Sequence, residues 1–164
     1  MIPMLPLISL VVSLVASDSD AQAVIAKFKE KDPNLKKVFA EAYGYVVFPT
    51  VGKGGIGIGG ARGKGYVYEH GELIGRSTLT QVTIGLQLGG QVYSEVVFVR
   101  DKDAMDSFKR GRLKLDGQAS AVAVTARAAV DVGYRNGVAI VTMAKGGLMY
   151  EAAVGGQKFS FDPL

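Results

Sequence analysis

The chain has 164 residues, the size of one domain, with 48% apolar residues, 22 glycines and a formal net charge of +4. It has no cysteine and one histidine, which excludes disulfides, zinc–thiolate sites and thiol nucleophiles and leaves acyl-transfer triads a single possible base. The apolar content argues against disorder, and the basic excess is compatible with an anionic partner.

Met1 to Ser17 carries no charge and is mostly apolar. Its uninterrupted apolar part is shorter than the roughly 20 residues of a spanning helix. Val15-Ala16-Ser17 and Ser19-Asp20-Ala21 both fit a small-x-small cleavage site, although no Lys or Arg precedes the apolar run. Residues 1–21 therefore read as a secretory signal peptide, with an uncleaved membrane anchor as the alternative. Residues 22–164 read as one domain of an exported protein, periplasmic or membrane-associated.

Asp18, Ser19 and Asp20 can cap a helix, and Ala21, Val24, Ile25 and Phe28 follow at helical spacing. Asp32-Pro33 reads as the start of a second helix with Leu35, Val38, Phe39 and Ala42 on its buried stripe, and Gly44 as its C-terminal glycine. Lys27, Lys29, Lys31, Lys36 and Lys37 flank these apolar faces. Two readings are open: helices docked on a sheet with solvated lysines, which periodicity alone favours, or a basic amphipathic surface for anionic membrane.

Tyr45–Phe48 is expected to be a strand ended by Pro49. The stretch Pro49 to Gly65, PTVGKGGIGIGGARGKG, follows. Gly55, Gly57 and Gly60 match G-x-G-x-x-G, but no helix-forming run succeeds them and no acidic residue stands about twenty residues on. Neither Gly52-Lys53 nor Gly63-Lys64 has the Ser or Thr of a P-loop. The glycines therefore point to a curved sheet rather than a nucleotide site. Ile56-Gly57-Ile58-Gly59-Gly60, Leu86-Gln87-Leu88-Gly89-Gly90 and Ala152-Ala153-Val154-Gly155-Gly156 repeat one pattern, alternation followed by Gly-Gly. Together they predict one strongly bent antiparallel sheet or partial barrel.

The remaining expected strands are Gly55–Gly60 and Tyr66–Glu69 about an Arg62-Gly63-Lys64 turn, then Thr78–Leu88 and Val92–Val99. Glu69 to Glu72 is expected to be a hairpin turn, which leaves His70 solvated. Asp101 caps a short helix to about Arg110, closed by Gly111. Asp101, Asp103 and Asp106 resemble a calcium loop only superficially, because Asp106 stands where an EF-hand needs glycine. Residues 113–131 are ambiguous between strand and helix. Val138–Ala144 and Leu148–Val154 form a hairpin about Lys145-Gly146-Gly147, and Phe159 and Phe161 end the chain on an edge strand. The fold class is α+β, with N-terminal helices, one short mid-chain helix and a glycine-rich bent sheet.

No residue set supports an enzyme or a metal or cofactor site, and no basic stripe with exposed aromatics supports nucleic-acid binding. Several blocks do carry a resemblance. They are Ala42-x-Gly44-Tyr45-Val46-Val47-Phe48-Pro49, Gly52-Lys53-Gly54-Gly55 with Gly57-Ile58-Gly59-Gly60, Ile84 to Gln91, Gly117 to Ala121, and Lys145 to Glu151. Over about residues 21 to 161 the chain resembles the SYLF domain family, and it is similar to the bacterial stand-alone members with a signal sequence. The resemblance implies a mixed fold with a glycine-rich β body. Eukaryotic members of that family bind phosphoinositides and some bind actin, which an exported protein would not normally meet. The expected function is a non-enzymatic module that binds anionic lipid headgroups at a membrane surface. The candidate lipid-binding residues are Lys27, Lys29, Lys31, Lys36, Lys37, Lys53, Arg62 and Lys64. The alternatives are a structural or protein-interaction domain of the cell envelope, with a protein partner there, and actin-filament binding.

Overall fold

Apolar spacing at the start of the domain dictates two helices, and both are present. The computed structural model of the chain describes residues 18–52, 61–81, 92–112, 114–115, 137–144, 147–149 and 157–164. Helix α1 (Ser19–Lys31) buries Ala21, Ile25 and Phe28, and α2 (Leu35–Glu41) buries Leu35, Val38 and Phe39. Their starts differ from the local expectation. Asp18 makes no cap hydrogen bond; its Oδ2 accepts from the Tyr68 hydroxyl at 2.8 Å, so a tertiary partner replaces the local one. Asp32 Oδ1 accepts from the Asn34 backbone N–H at 3.0 Å, and α2 begins after Asn34 rather than at Pro33. Gly44 belongs to the first strand instead of a helix end, because a Cβ there would meet the Met105 side chain and the Tyr68 carbonyl.

The strands are β1 (Gly44–Gly52), β2 (Ala61–Glu69), β3 (Glu72–Gln81), β4 (Tyr93–Val99), β5 (Lys114–Leu115), β6 (Val138–Ala144), β7 (Gly147–Met149), β8 (Gln157–Phe159) and β9 (Asp162–Pro163), with α3 (Lys102–Lys109) between β4 and β5. Every pair is antiparallel. The order is β5-β8-β3-β2-β1-β4-β6-β7, with β9 also on β3. The sheet curls into a half-barrel, so the α+β class and the bent antiparallel body are as expected.

Three local expectations are corrected. Pro49 does not end the first strand: β1 continues to Gly52, and a register shift between Val47 and Thr50 absorbs the proline's missing donor. Arg62-Gly63-Lys64 is not a turn but the first part of β2. A Cβ on Gly63 would lie 2.8 Å from Val51 Cγ2, and one on Gly65 would lie 2.6 Å from Phe48 Cδ1. These glycines are therefore cross-strand slots for large neighbours. Phe159 is not on an edge strand, since β8 pairs with β3 on one side and β5 on the other. The expected strand over Gly55–Gly60, the end of the one over Thr78–Leu88, all three Gly-Gly pairs and the body of 113–131 lie outside the described residues.

Side chains alternate between two apolar layers. The inner face holds Phe48, Val51, Leu79, Val97 and Phe159 against Met105 and Phe108 of α3. The outer face holds Val47, Tyr66, Tyr68, Val96, Phe98 and Val141 against α1 and α2. Asp101 Oδ1 accepts from the Ala104 N–H at 2.9 Å, capping α3 as expected, and Gly111 ends it at φ 68°. The Glu69–Lys109 pair, at 3.1 Å, ties α3 to the end of β2.

Candidate functional site

Burying the apolar stripes of α1 and α2 leaves Lys27, Lys31, Lys36 and Lys37 exposed on the outward side of the helix pair. Lys29 is half-buried, with its ammonium 5.3 Å from the Phe39 ring centroid, so part of its charge is directed at the core. Lys37 stands 4.0 Å from Glu41, and both are exposed, so the pair adds little. The helical layer also carries Asp18, Asp20, Glu30, Asp32 and Glu41. Its basic character is therefore confined to the stretch from Lys27 to Lys37. Lys27 and Lys31 line a depression of ≈ 440 Å³ with Glu30, Val92, Tyr93, Ser94 and Met143. Val92 is 63% exposed there.

A second group sits on β2. Arg62 and Lys64 are exposed and alternate with the buried Gly63 and Gly65. Register places Thr50 of β1 opposite Lys64, and Arg76 of β3 opposite Tyr66. The Arg76 guanidinium lies 4.1 Å from the Tyr66 ring centroid, and its Nε donates to the Gly65 carbonyl at 3.1 Å. Asp20, Pro49, Thr50, Lys64, Tyr66 and Arg76 line a depression of ≈ 280 Å³. Burial raises the Tyr66 phenol pKa, and a hydrogen bond to Asp20 raises it further. Asp20 of one depression stands seven and eleven helical residues from Lys27 and Lys31 of the other, so the two are about 10–16 Å apart along the α1 axis. The structure thus places Lys64 at one end of α1 and Lys27 and Lys31 toward the other, while Arg62, opposite Gly52, lines neither depression. Lys36 and Lys37 stand beyond on α2, and Lys53 lies outside the described residues.

Arg76 was not legible as a site residue. Gly75-Arg76-Ser77 carries no motif, and only the β2–β3 register puts it opposite Tyr66 beside Lys64. Also unforeseen is a polar cluster on the inner face. Glu95, fully buried on β4, accepts at Oε1 from Gln157 Nε2 at 2.8 Å. Gln157 Nε2 lies 3.5 Å from Gln81 Oε1, which also accepts from the Tyr93 hydroxyl at 3.3 Å. Glu95 Oε2 and Gln157 Oε1 have no hydrogen-bond partner among the described residues. Burial pushes the Glu95 carboxyl up to about 7, and the Gln157 hydrogen bond opposes this only in part. His70 is exposed in its turn at φ 53°, with its ring 4.5 Å from that of Tyr43. Among the described residues no three His, Cys, Asp or Glu gather as a metal site, and no helix is long and apolar enough to cross a membrane.

Comparison with known proteins adds two findings. A family model described as Ysc84, Las17-binding protein actin regulator, matches residues 80–163. The chain is also similar to beta cell expansion factor A of Aeromonas veronii, at 24% identity over 151 residues, covering 90% of this chain and 57% of the relative. The chain thus spans little more than half the length of that curated protein. The segment that the family model matches contains Gln81, Tyr93, Glu95 and Gln157. The lysines of α1 and α2, and Lys64 and Arg76, precede it.

Proposed function

The chain belongs to the Ysc84 family of SYLF-domain proteins, and from that premise we propose that it is a non-enzymatic module binding anionic lipid headgroups, phosphoinositide-like in their charge, at a membrane surface. The observation that carries this reading is the division of labour on α1 and α2. Ala21, Phe28 and Leu35 are fully buried, while Lys27, Lys31, Lys36 and Lys37 project outward. A helix pair so arranged can offer charge to a membrane, but its apolar residues are already used by the core. Each basic residue near an anionic surface contributes roughly 1 kcal/mol. Four therefore give an affinity of about millimolar order, which is reversible adsorption. The charge-free apolar start of the chain supports export to the cell envelope, where this surface would meet membrane.

The family description favours a second reading, a protein partner of the actin-regulating kind. Vesicle co-sedimentation over a salt series decides between them. Adsorption to anionic vesicles that fades with salt, and is lost in a folded Lys27/Lys31/Lys36/Lys37→Glu variant, is the expected result. Wild-type indifference to anionic vesicles at low salt would overturn the lipid reading and leave the protein partner.

A further inference from the structure

We propose that the depression at the N-terminal end of α1 is a headgroup site for a phosphodiester bearing free hydroxyls, of the phosphoglycerol kind. The assignment rests on the anionic-lipid reading above and names the headgroup it would select.

The geometry of Arg76 is the starting point. Its guanidinium is held flat on Tyr66 at 4.1 Å and anchored through Nε to the Gly65 carbonyl at 3.1 Å. The terminal nitrogens of the fork make no hydrogen bond among the described residues. An arginine fixed in this way loses little side-chain entropy when an oxyanion arrives, and the fork matches two oxygens of one phosphate. Lys64 lines the same depression, and among the described residues its ammonium has no carboxylate partner. Thr50, paired with Lys64 across the strands, adds an exposed hydroxyl.

Asp20 decides the class of ligand. Its Oδ1 accepts from the Ala21 N–H at 2.9 Å and its carboxylate meets the Tyr66 hydroxyl, so it is held in place and keeps lone pairs for a ligand. Here Asp20 lines the depression together with Arg76 and Lys64. The lining carries two cations and one carboxylate, and the Asp18 carboxylate acts on Tyr66 from beside it, a balance that matches a monoanionic phosphodiester better than a dianionic phosphomonoester. The carboxylate then has an acceptor role toward hydroxyls on the same headgroup, while the phosphate lies on Arg76 and Lys64. The volume, ≈ 280 Å³, accommodates a group of that size.

The test compares phosphatidylcholine vesicles doped with phosphatidylglycerol or, at equal mole fraction, with phosphatidylethanol, which has the same charge and no headgroup hydroxyls. Wild type is expected to prefer phosphatidylglycerol by about tenfold, the yield of one added charge-assisted hydrogen bond. Asp20→Asn and Arg76→Lys should each erase the preference, and Asp20→Asn should strengthen binding to phosphatidylethanol because the site becomes more basic. Soluble glycerophosphoglycerol should shift the amide resonances of Lys64 and Arg76. Should Arg76→Lys unfold by circular dichroism, the exposed Lys64→Gln carries the same comparison. Equal binding to both vesicles, unchanged in every variant, overturns the headgroup site and leaves general lipid adsorption standing. Resonance shifts with glycerophosphoglycerol but no vesicle binding keep the site, reassign it to a free glycerophosphodiester and sink the membrane reading. Silence in both assays overturns both.

Discussion

Gln157 Nε2 donates to Glu95 Oε1 at 2.8 Å, although their strands, β8 and β4, stand four places apart in the sheet. In a flat sheet that separation would be about 19 Å. The contact exists because the sheet curls, and it bridges the inside of the half-barrel with a buried carboxyl and an amide.

This bridge predicts a pH dependence of stability. The Glu95 carboxyl is raised to about 7 from an ordinary 4.5. Between those values the folded chain keeps a proton that the unfolded chain releases, so stability falls as pH rises through that window and levels off above it. The slope approaches about 1.4 kcal/mol per pH unit where the difference is one proton. Glu69, Asp101 and Asp106 are shifted the opposite way, so their contributions are lost only in more acidic solution. Glu95→Gln should remove the decline between pH 5 and 7 and exceed wild type in stability at pH 8. Urea unfolding of both proteins at several pH values checks this, and a flat wild-type profile would contradict it.

The slot at Gly65 predicts overpacking. A Cβ there would stand 2.6 Å from the Phe48 ring and 2.9 Å from the Val47 carbonyl, and neither the ring in the core nor the strand backbone can withdraw cheaply. Gly65→Val should cost about 1–3 kcal/mol or more, a fall in Tm of several degrees. Lys64→Val, on the exposed face one residue earlier, should melt within about 2 °C of wild type. Calorimetry separates the two, and similar melting of both would mean that the strand yields at Gly65.

The cap of α3 predicts a smaller loss. Asp101→Ala removes the acceptor for the Ala104 N–H and the 3.1 Å contact with Arg100. The exposed ion pair counts for little, so the expected cost is about 1 kcal/mol from the cap. Asp101→Asn should recover most of it. An Asn variant as unstable as the Ala variant would assign the effect to charge instead.

On the signal-peptide reading, packing at the start of α1 favours one of the two cleavage sites read from the sequence. Cleavage after Ala21 would remove Asp18, the acceptor for the Tyr68 hydroxyl, and Ala21, which is fully buried. Cleavage after Ser17 would keep both. The expected mature chain from the envelope fraction therefore begins at Asp18. An intact mass beginning at Gln22 would refute the packing argument, and one that retains Met1 would favour an anchor.

What was legible in the sequence was whatever a short window determines. The spacing of Ala21, Ile25 and Phe28, the Asp101 cap and the Gly111 stop are local devices, and each occurs as read. What failed depends on partners distant in the chain. Gly63 and Gly65 resemble turn glycines until Val51 and Phe48 are seen filling the space above them. Phe159 resembles a terminal edge residue until β5 arrives on its other side. Arg76 and Glu95 carry no local pattern. One gains its setting from cross-strand register and the other from sheet curvature, and neither is a property of neighbouring residues. The lysines were legible as exposed charges, but their division between the two ends of α1 follows from where the helix lies on the sheet.

Strand β1 pairs with β2 on one side and with β4 on the other, so the earliest of the described strands is a central one. Its β2 partner follows within the next seventeen residues, whereas its other edge waits until Val99 has been synthesised. At about 5–20 residues per second, that edge, with Tyr45, Val46, Val47 and Phe48 along it, stays open for about 2–10 seconds in each nascent chain. An apolar open edge is a template for intermolecular pairing. Every new copy is therefore briefly dependent on whatever shields nascent chains at the ribosome or the membrane, and crowded expression should fail by aggregation well before the finished fold reaches its limit of stability.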